Sequence, residues 1–391
     1  MKAVGVFTSR LLIISLLIMV SQSASAGTWR VTIAGTGDAP TIQAAIDSAA
    51  VGDTVLVGPG RYTWSNQGSG DEKGFIRVME RKTITLQSEA GADLTILDAE
   101  YMNRTIYVQG MNHITCEGFT ITGGEAPYFG DYVGGGYFNH ISGDTIRHCR
   151  FVGNRARYGG GIYSCGNGYV TLVEHCTFEK NAAYRYGGGV AYCCNVVSSI
   201  IRDCTFTGNT AGMDGGAAAF HLCPLTMERC IFTGNTAVDR GGAILAFNEG
   251  HAIVKNCTFG NNGAPSGAAI SVIGSASLEL DRTILCNNRG PWLELEEGLA
   301  AIAGCNDIFG NAGGDDLPGG VTDTGGNIFL DPLFCGPSGP GEYHLHADSP
   351  CVPINHPGGI FCQLIGACPK GCDEVSTEKR SWGHIKKFKT N

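Results

Sequence analysis

Five times in succession the chain spells Cys, one residue, Phe, two residues, Asn, and then a run of glycine or alanine. The copies read "CRFVGNRARYGGGIY" from Cys149, "CTFEKNAAYRYGGGVAY" from Cys176, "CTFTGNTAGMDGGAAAF" from Cys204, "CIFTGNTAVDRGGAILAF" from Cys230 and "CTFGNNGAPSGAAI" from Cys257. Their cysteines are 27, 28, 26 and 27 residues apart. Looser copies are "CEGFTITGG" from Cys116, "TILCNN" from Thr283 and "NDIFGN" from Asn306. A period of this length marks units that stack on one another.

Before each cysteine runs a short alternating stretch, such as "SSIIRDCTF" or "HAIVKNCTF", and after each glycine run comes a second apolar piece, such as "GVAY" or "AILAF". Alternation with β-branched residues marks half-buried strands, and no repeat shows the 3.6-residue period of a helix. A unit of strands this short cannot bury its own apolar face, so it must stack on its neighbours. The predicted fold is all-β: a right-handed parallel β-helix of about ten coils, one repeat per coil. In such a stack the Cys column (149, 176, 204, 230, 257) reads as small buried residues. Disulfides between adjacent coils are the alternative, disfavoured because parallel Cβ vectors suit a bridge poorly. The Asn column (154, 181, 209, 235, 262) is expected at a bend, its amides bonding up and down the stack. The glycines let the next corner take positive φ. All the repeated residues thus have structural roles.

The flanks fit one domain. "TIQAAIDSAA" (Thr41 to Ala50) is an amphipathic helix with Ile42, Ala45, Ile46 and Ala49 on one face, suited to cap the open first coil. Residues 1–26 read as an export signal: Lys2 and Arg10, then "LLIISLLIMV", then "ASA". That apolar run is too short to span a bilayer, and no later stretch is apolar enough. The signal carries two bases and no acid, so its removal takes the formal charge from −9 to −11. Residues 373–391 form an exposed basic tail with five basic and three acidic residues, which leaves the body, 27–372, at −13. So acidic a body disfavours nucleic acid as a partner, and polyanionic substrates unless a cation mediates. Seventeen cysteines suit an exported, oxidising setting. Five of them (335, 351, 362, 368, 372) crowd into a C-terminal cap, about 325–372, where disulfides stapling the far end are expected. Without a paired Cys-x-x-Cys, zinc is not indicated.

"TIQAAIDSAAVGDTVLVGPGRYT", the recurring "FTGN" and "GGAI", and the closing "NIFLDPLF", "YHLHADSPC" and "IGA" together resemble secreted right-handed parallel β-helix proteins of the pectin-lyase-like superfamily, with repeats similar to those of polymorphic outer-membrane proteins. The resemblance covers most of 41–372. It implies the fold specifically and the function loosely, because this scaffold carries lyases, hydrolases, epimerases and non-catalytic adhesins.

Hydrolases of the group would be expected to show Asn-Thr-Asp, Asp-Asp and Gly-His-Gly elements, and of these only Asp315-Asp316 occurs, inside "GNAGGDDLPGG". Those two with Asp323 are a candidate Ca²⁺ site of irregular spacing, and otherwise a polar loop; no other cofactor is indicated. The segments between each Asn and its glycines vary: "RARY", "AAYRY", "TAGMD", "TAVDR". Stacking would gather Arg157, Tyr158, Tyr184, Arg185, Tyr186 and Arg240 along one edge as ligand-binding candidates, with Asp214 and Asp239 as a candidate catalytic pair. Rings that stack on sugar faces, beside charges that bond hydroxyls, suit a polysaccharide or surface glycan. A protein partner, or a plain solvated turn column, is the alternative. The expected function is therefore non-catalytic glycan or partner binding, at the cell surface, outside the cell or in a periplasm. A polysaccharide lyase or hydrolase acting through carboxylates on adjacent coils is the other reading.

Overall fold

The computed structural model describes residues 26–372, apart from 69, 80, 127–131, 167–168, 194–198, 337–342 and 360. The expected export signal and basic tail lie outside the described residues, save Ala26. The chain winds as a parallel β-helix whose successive coils add strands to three main sheets, the end coils contributing to only some of them. The first sheet starts at Thr28–Val31 and Thr54–Val57 and ends at Ala301–Gly304 and Val321–Asp323. It has twelve rungs rather than the expected ten. Its outermost strands lie beyond the Cys-x-Phe-x-x-Asn template, which is why the repeats understate the count. The second sheet holds the repeat strands, such as Thr205–Thr207 on Ile231–Thr233. The third holds the strands after the glycines, such as Ala218–His221 on Ile244–Phe247.

The capping helix spans Ile42–Ser48, shorter at both ends than its pattern suggested. Thr41 caps it, its hydroxyl accepting from the Ala44 N–H at 3.1 Å. Ile42, Ala45 and Ile46 join the main core cluster over the first coils.

Inside the stack the repeated letters form columns. Phe151, Phe178, Phe206, Phe232 and Phe259 are fully buried, with successive rings 4.6–4.9 Å apart and nearly parallel. Each ring contributes roughly 2–3 kcal/mol of burial. Asn154, Asn181, Asn209, Asn235, Asn262, Asn288 and Asn311 form a continuous ladder of seven. In Asn209 the side-chain amide donates to the Phe178 carbonyl of one neighbouring coil and to Asn235 Oδ1 of the other. Its Oδ1 accepts from the backbone and side-chain nitrogens of Asn181. The amide is fully satisfied without water, which is what permits its complete burial.

Cys149, Cys176, Cys204, Cys230 and Cys257 are buried free thiols, as stacking favoured over bridging. The Cys204 thiol points at carbonyls of Arg202 and Val173, 3.2 and 3.7 Å away. Beyond Cys257 the column continues as Thr283, Asn306 and Asn327, each accepting the preceding backbone N–H. Cys116 does not belong to it. Cys116 pairs with Ile146 inside the first sheet, and since Arg150 pairs with Thr120, the slot opposite Cys149 is filled by Phe119. Glycine is required at the corner: Gly215 has φ +68°, and a Cβ on Gly216 would lie 2.2 Å from the Gly242 carbonyl oxygen of the next coil.

The three outer faces differ. Across the first sheet, Glu117, Arg147, Glu174, Arg202, Glu228, Lys255 and Asp281 stand in register, alternating in sign at every rung. Arg147 meets Glu117 at 2.9 Å and Arg202 meets Glu174 at 2.6 Å. The second sheet is covered toward its end by the C-terminal segment, which folds back along the side of the stack rather than plugging its end, as had been expected. Tyr343 reaches the Thr233 hydroxyl at 2.8 Å, the Ala367 N–H donates to the Thr258 hydroxyl at 3.0 Å, and Leu345, Cys351 and Ile365 cluster with Ile284 and Cys286. Two disulfides, Cys305–Cys362 and Cys335–Cys372, staple it, whereas Cys351 and Cys368 remain thiols. The end of the core is closed instead by Trp292, whose indole donates to the Asp316 carbonyl at 3.1 Å, and by Leu317.

Candidate functional site

The third sheet carries the site, where its outer face meets the turn column. Just before each corner glycine, Tyr158, Tyr186, Asp214, Arg240 and Ser266 stand in bridge register on successive coils. The strand after the glycine turns Ile244 and Ala246 into the core, so Leu245 and Phe247 face outward. Between turn column and strand lies a cleft of about 520 Å³, lined by Tyr186, Met213, Asp214, Asp239, Arg240, Leu245, Phe247, Pro265, Ser266, Ile273 and Glu294.

Four sequence candidates meet there: Tyr186, Asp214, Asp239 and Arg240. Asp214 is 7% exposed, and among the described residues its Oδ1 has no hydrogen-bond partner. Burial pushes its carboxyl above the usual range; Arg240 opposes the shift, and Asp239 and Glu294 add to it. Asp214 aligns with Arg240, and the Asp239 N–H bonds the Met213 carbonyl, so the two carboxylates are offset by one residue, Asp214 buried and Asp239 exposed. The Arg240 Nε lies 3.5 Å from Glu294 Oε1, while Glu294 Oε2 accepts from the buried Ser271 hydroxyl at 2.6 Å. Tyr186 packs on Phe247 with ring centroids 5.4 Å apart, and burial followed by the Asp214 charge raises its phenol.

The other candidates fall outside the cleft. Tyr158 packs against Tyr186 with tilted rings 5.4 Å apart and carries Arg157 over its ring, extending the aromatic edge by one coil. Tyr184, 64% exposed, and Arg185 face solvent. Asp315 and Asp323 end ladders: Asp315 accepts from the Gly310 and Asn311 backbones, and Asp323 from Gly325 and Asn327. Asp316 lies beside Asp315 in the closing loop. Among the described residues no three His, Cys, Asp or Glu side chains are placed to hold one metal ion. Sequence reasoning missed the far wall. Leu245 and Phe247 belong to the apolar piece after the glycines, which was not read as a site, and Glu294 lies in a coil that drops the template and carried no signal.

A model of the right handed beta helix region matches residues 198–328. A solved structure of a mutant PL6-family alginate lyase is similar at TM-score 0.41 and 12% identity, over 86% of this chain and 57% of that chain. This chain therefore spans little more than half of that protein. No curated protein sequence matches. With the coils, ladders and rungs above, the matched region makes this chain a right-handed parallel β-helix.

Proposed function

We propose that the protein is exported and binds a carbohydrate chain in the Asp214–Arg240 cleft. The observation that carries the reading is the content of that groove: a buried carboxylate oxygen without a partner among the described residues, a guanidinium, and the Tyr186 and Phe247 rings. Sugars offer apolar ring faces to aromatic walls and hydroxyls to fixed charges. The other two flanks are less suited. One is neutralised by its own charge ladder, and the other is partly covered by the C-terminal segment. No described helix is long and apolar enough to cross a membrane.

A second reading, glycan cleavage, draws on Asp214 alone. Burial that raises a carboxyl prepares it to deliver a proton as a general acid. One experiment separates the two. A panel of neutral, acidic and amino polysaccharides is scored for binding by affinity electrophoresis and for cleavage by new chain ends. Binding without cleavage, weakened about tenfold by Tyr186→Ala, supports the leading reading. Cleavage abolished by Asp214→Asn replaces it with the second. Binding to none of the panel sinks both.

A further inference from the structure

The cleft is acidic. Its described lining holds three carboxylates, Asp214, Asp239 and Glu294, against one cation, Arg240, which already faces Glu294. Asp214 lines the cleft, and its Oδ1 is buried and finds no donor among the described residues. A buried acceptor left unmet is unfavourable, so a ligand that brings a donor to it gains what the protein does not supply. Among the described residues no three acidic, His or Cys side chains converge on one point to hold a metal ion. The unmatched charge is spread along the groove and suits an extended ligand with several cationic donors.

We infer that the cleft selects a glycan bearing free amines, a hexosamine chain without N-acetyl groups, over neutral and uronate chains. The inference rests on the carbohydrate reading above and narrows it. An ammonium carries a full charge and three donors, which suit the Asp214, Asp239 and Glu294 carboxylates of the lining while the ring lies against Tyr186 and Phe247. An acetylated nitrogen keeps one donor and loses the charge. A uronate adds a carboxylate to a groove with three, inside a body of net charge −13. The burial that favours the protonated form of Asp214 in the empty cleft is opposed by an ammonium placed beside it.

The test is calorimetry on the whole mature protein with four hexamers: glucosamine, N-acetylglucosamine, glucose and mannuronate. Spermine is a fifth, non-sugar cation. The glucosamine hexamer is expected to bind about tenfold or more tighter than the next sugar, and to weaken as NaCl is raised. Asp214→Asn, and separately Asp239→Asn on the exposed rim, should each lower its affinity about three- to tenfold and lower that of the glucose hexamer by a smaller factor. Unchanged thermal midpoints in both variants exclude misfolding as the cause. Equal affinity for the glucose and glucosamine hexamers, or tightest binding of mannuronate, overturns the selection and leaves carbohydrate binding standing. Spermine binding with no sugar bound, or no binding at all, overturns carbohydrate binding and the selection together.

Discussion

Asp315 Oδ1 accepts from both nitrogens of Asn311, the backbone N–H at 2.8 Å and the side-chain amide at 3.0 Å. It stands where an eighth asparagine of the ladder would stand. An interior asparagine donates to both neighbouring coils and accepts from one of them, whereas the last rung only needs acceptors, which a carboxylate supplies. Asn209→Ala should therefore be far more damaging than Asp315→Ala. The first strands the Asn181 nitrogens and the Phe178 carbonyl inside the core, at roughly 2–5 kcal/mol. The second exposes its donors at a loop, at about 1–2 kcal/mol. Urea unfolding midpoints of the two variants check the order, and equal midpoints would contradict it.

The thiol column makes a second prediction. Thr283 fills the same slot with a hydroxyl that accepts from the Cys257 N–H and donates to the Asp281 carbonyl. A small donor–acceptor is thus what the slot needs, and Cys204→Ser should cost no more than about 1 kcal/mol. Cys204→Leu should cost about 1–3 kcal/mol by overpacking against the neighbouring coils. Cys149, Cys176, Cys204, Cys230 and Cys257 should resist alkylation in the native protein and react once it is unfolded, without any reductant. A need for reductant, seen by intact mass, would mean bridged coils.

The columns were readable because stacking turns a spatial position into a fixed spacing. Phe206 and Phe232 share a column, and so do Asn209 and Asn235, because each coil returns to the same angle after about one repeat. The looser copy from Cys116 does not keep the columns, since its coil fills the matching slots with Phe119 and Gly124. The cleft was half readable. Asp214 and Arg240 stood out as letters that break the repeat, but register makes Asp214 face Arg240 rather than Asp239. The chain's return along the second sheet had no signal at all, because it depends on which outer face is apolar, at Ile284 and Cys286.

The first sheet's charges should act as a unit. Arg202 stands between Glu174 and Glu228 in register. Arg202→Glu would line up three like charges and should lower stability by about 1–2 kcal/mol at low salt. Arg202→Gln only removes the attraction and should cost less. The difference between the two variants should shrink at 1 M NaCl, where the Debye length falls to about 3 Å. Thermal melts across a salt series measure it, and a salt-independent gap would point to packing instead.

The docked C-terminal segment should respond to pH through Asp307. This carboxyl is fully buried, accepts from the Cys351 thiol at 3.1 Å and from the Leu330 N–H at 3.2 Å, and is pushed by burial from 3.8 to about 7. A raised carboxyl means that the folded state holds the proton more tightly than the unfolded chain. Its contribution is therefore intact at low pH and is lost as pH climbs from about 4 to about 7, the opposite of a salt-bridged aspartate. Thermal midpoints should decline over that window in the wild type. In Asp307→Asn, which stays uncharged, the decline should be shallower and the midpoint at pH 8 should match or exceed that of the wild type. Parallel pH profiles for the two proteins would show that Asp307 does not keep its proton in the folded state.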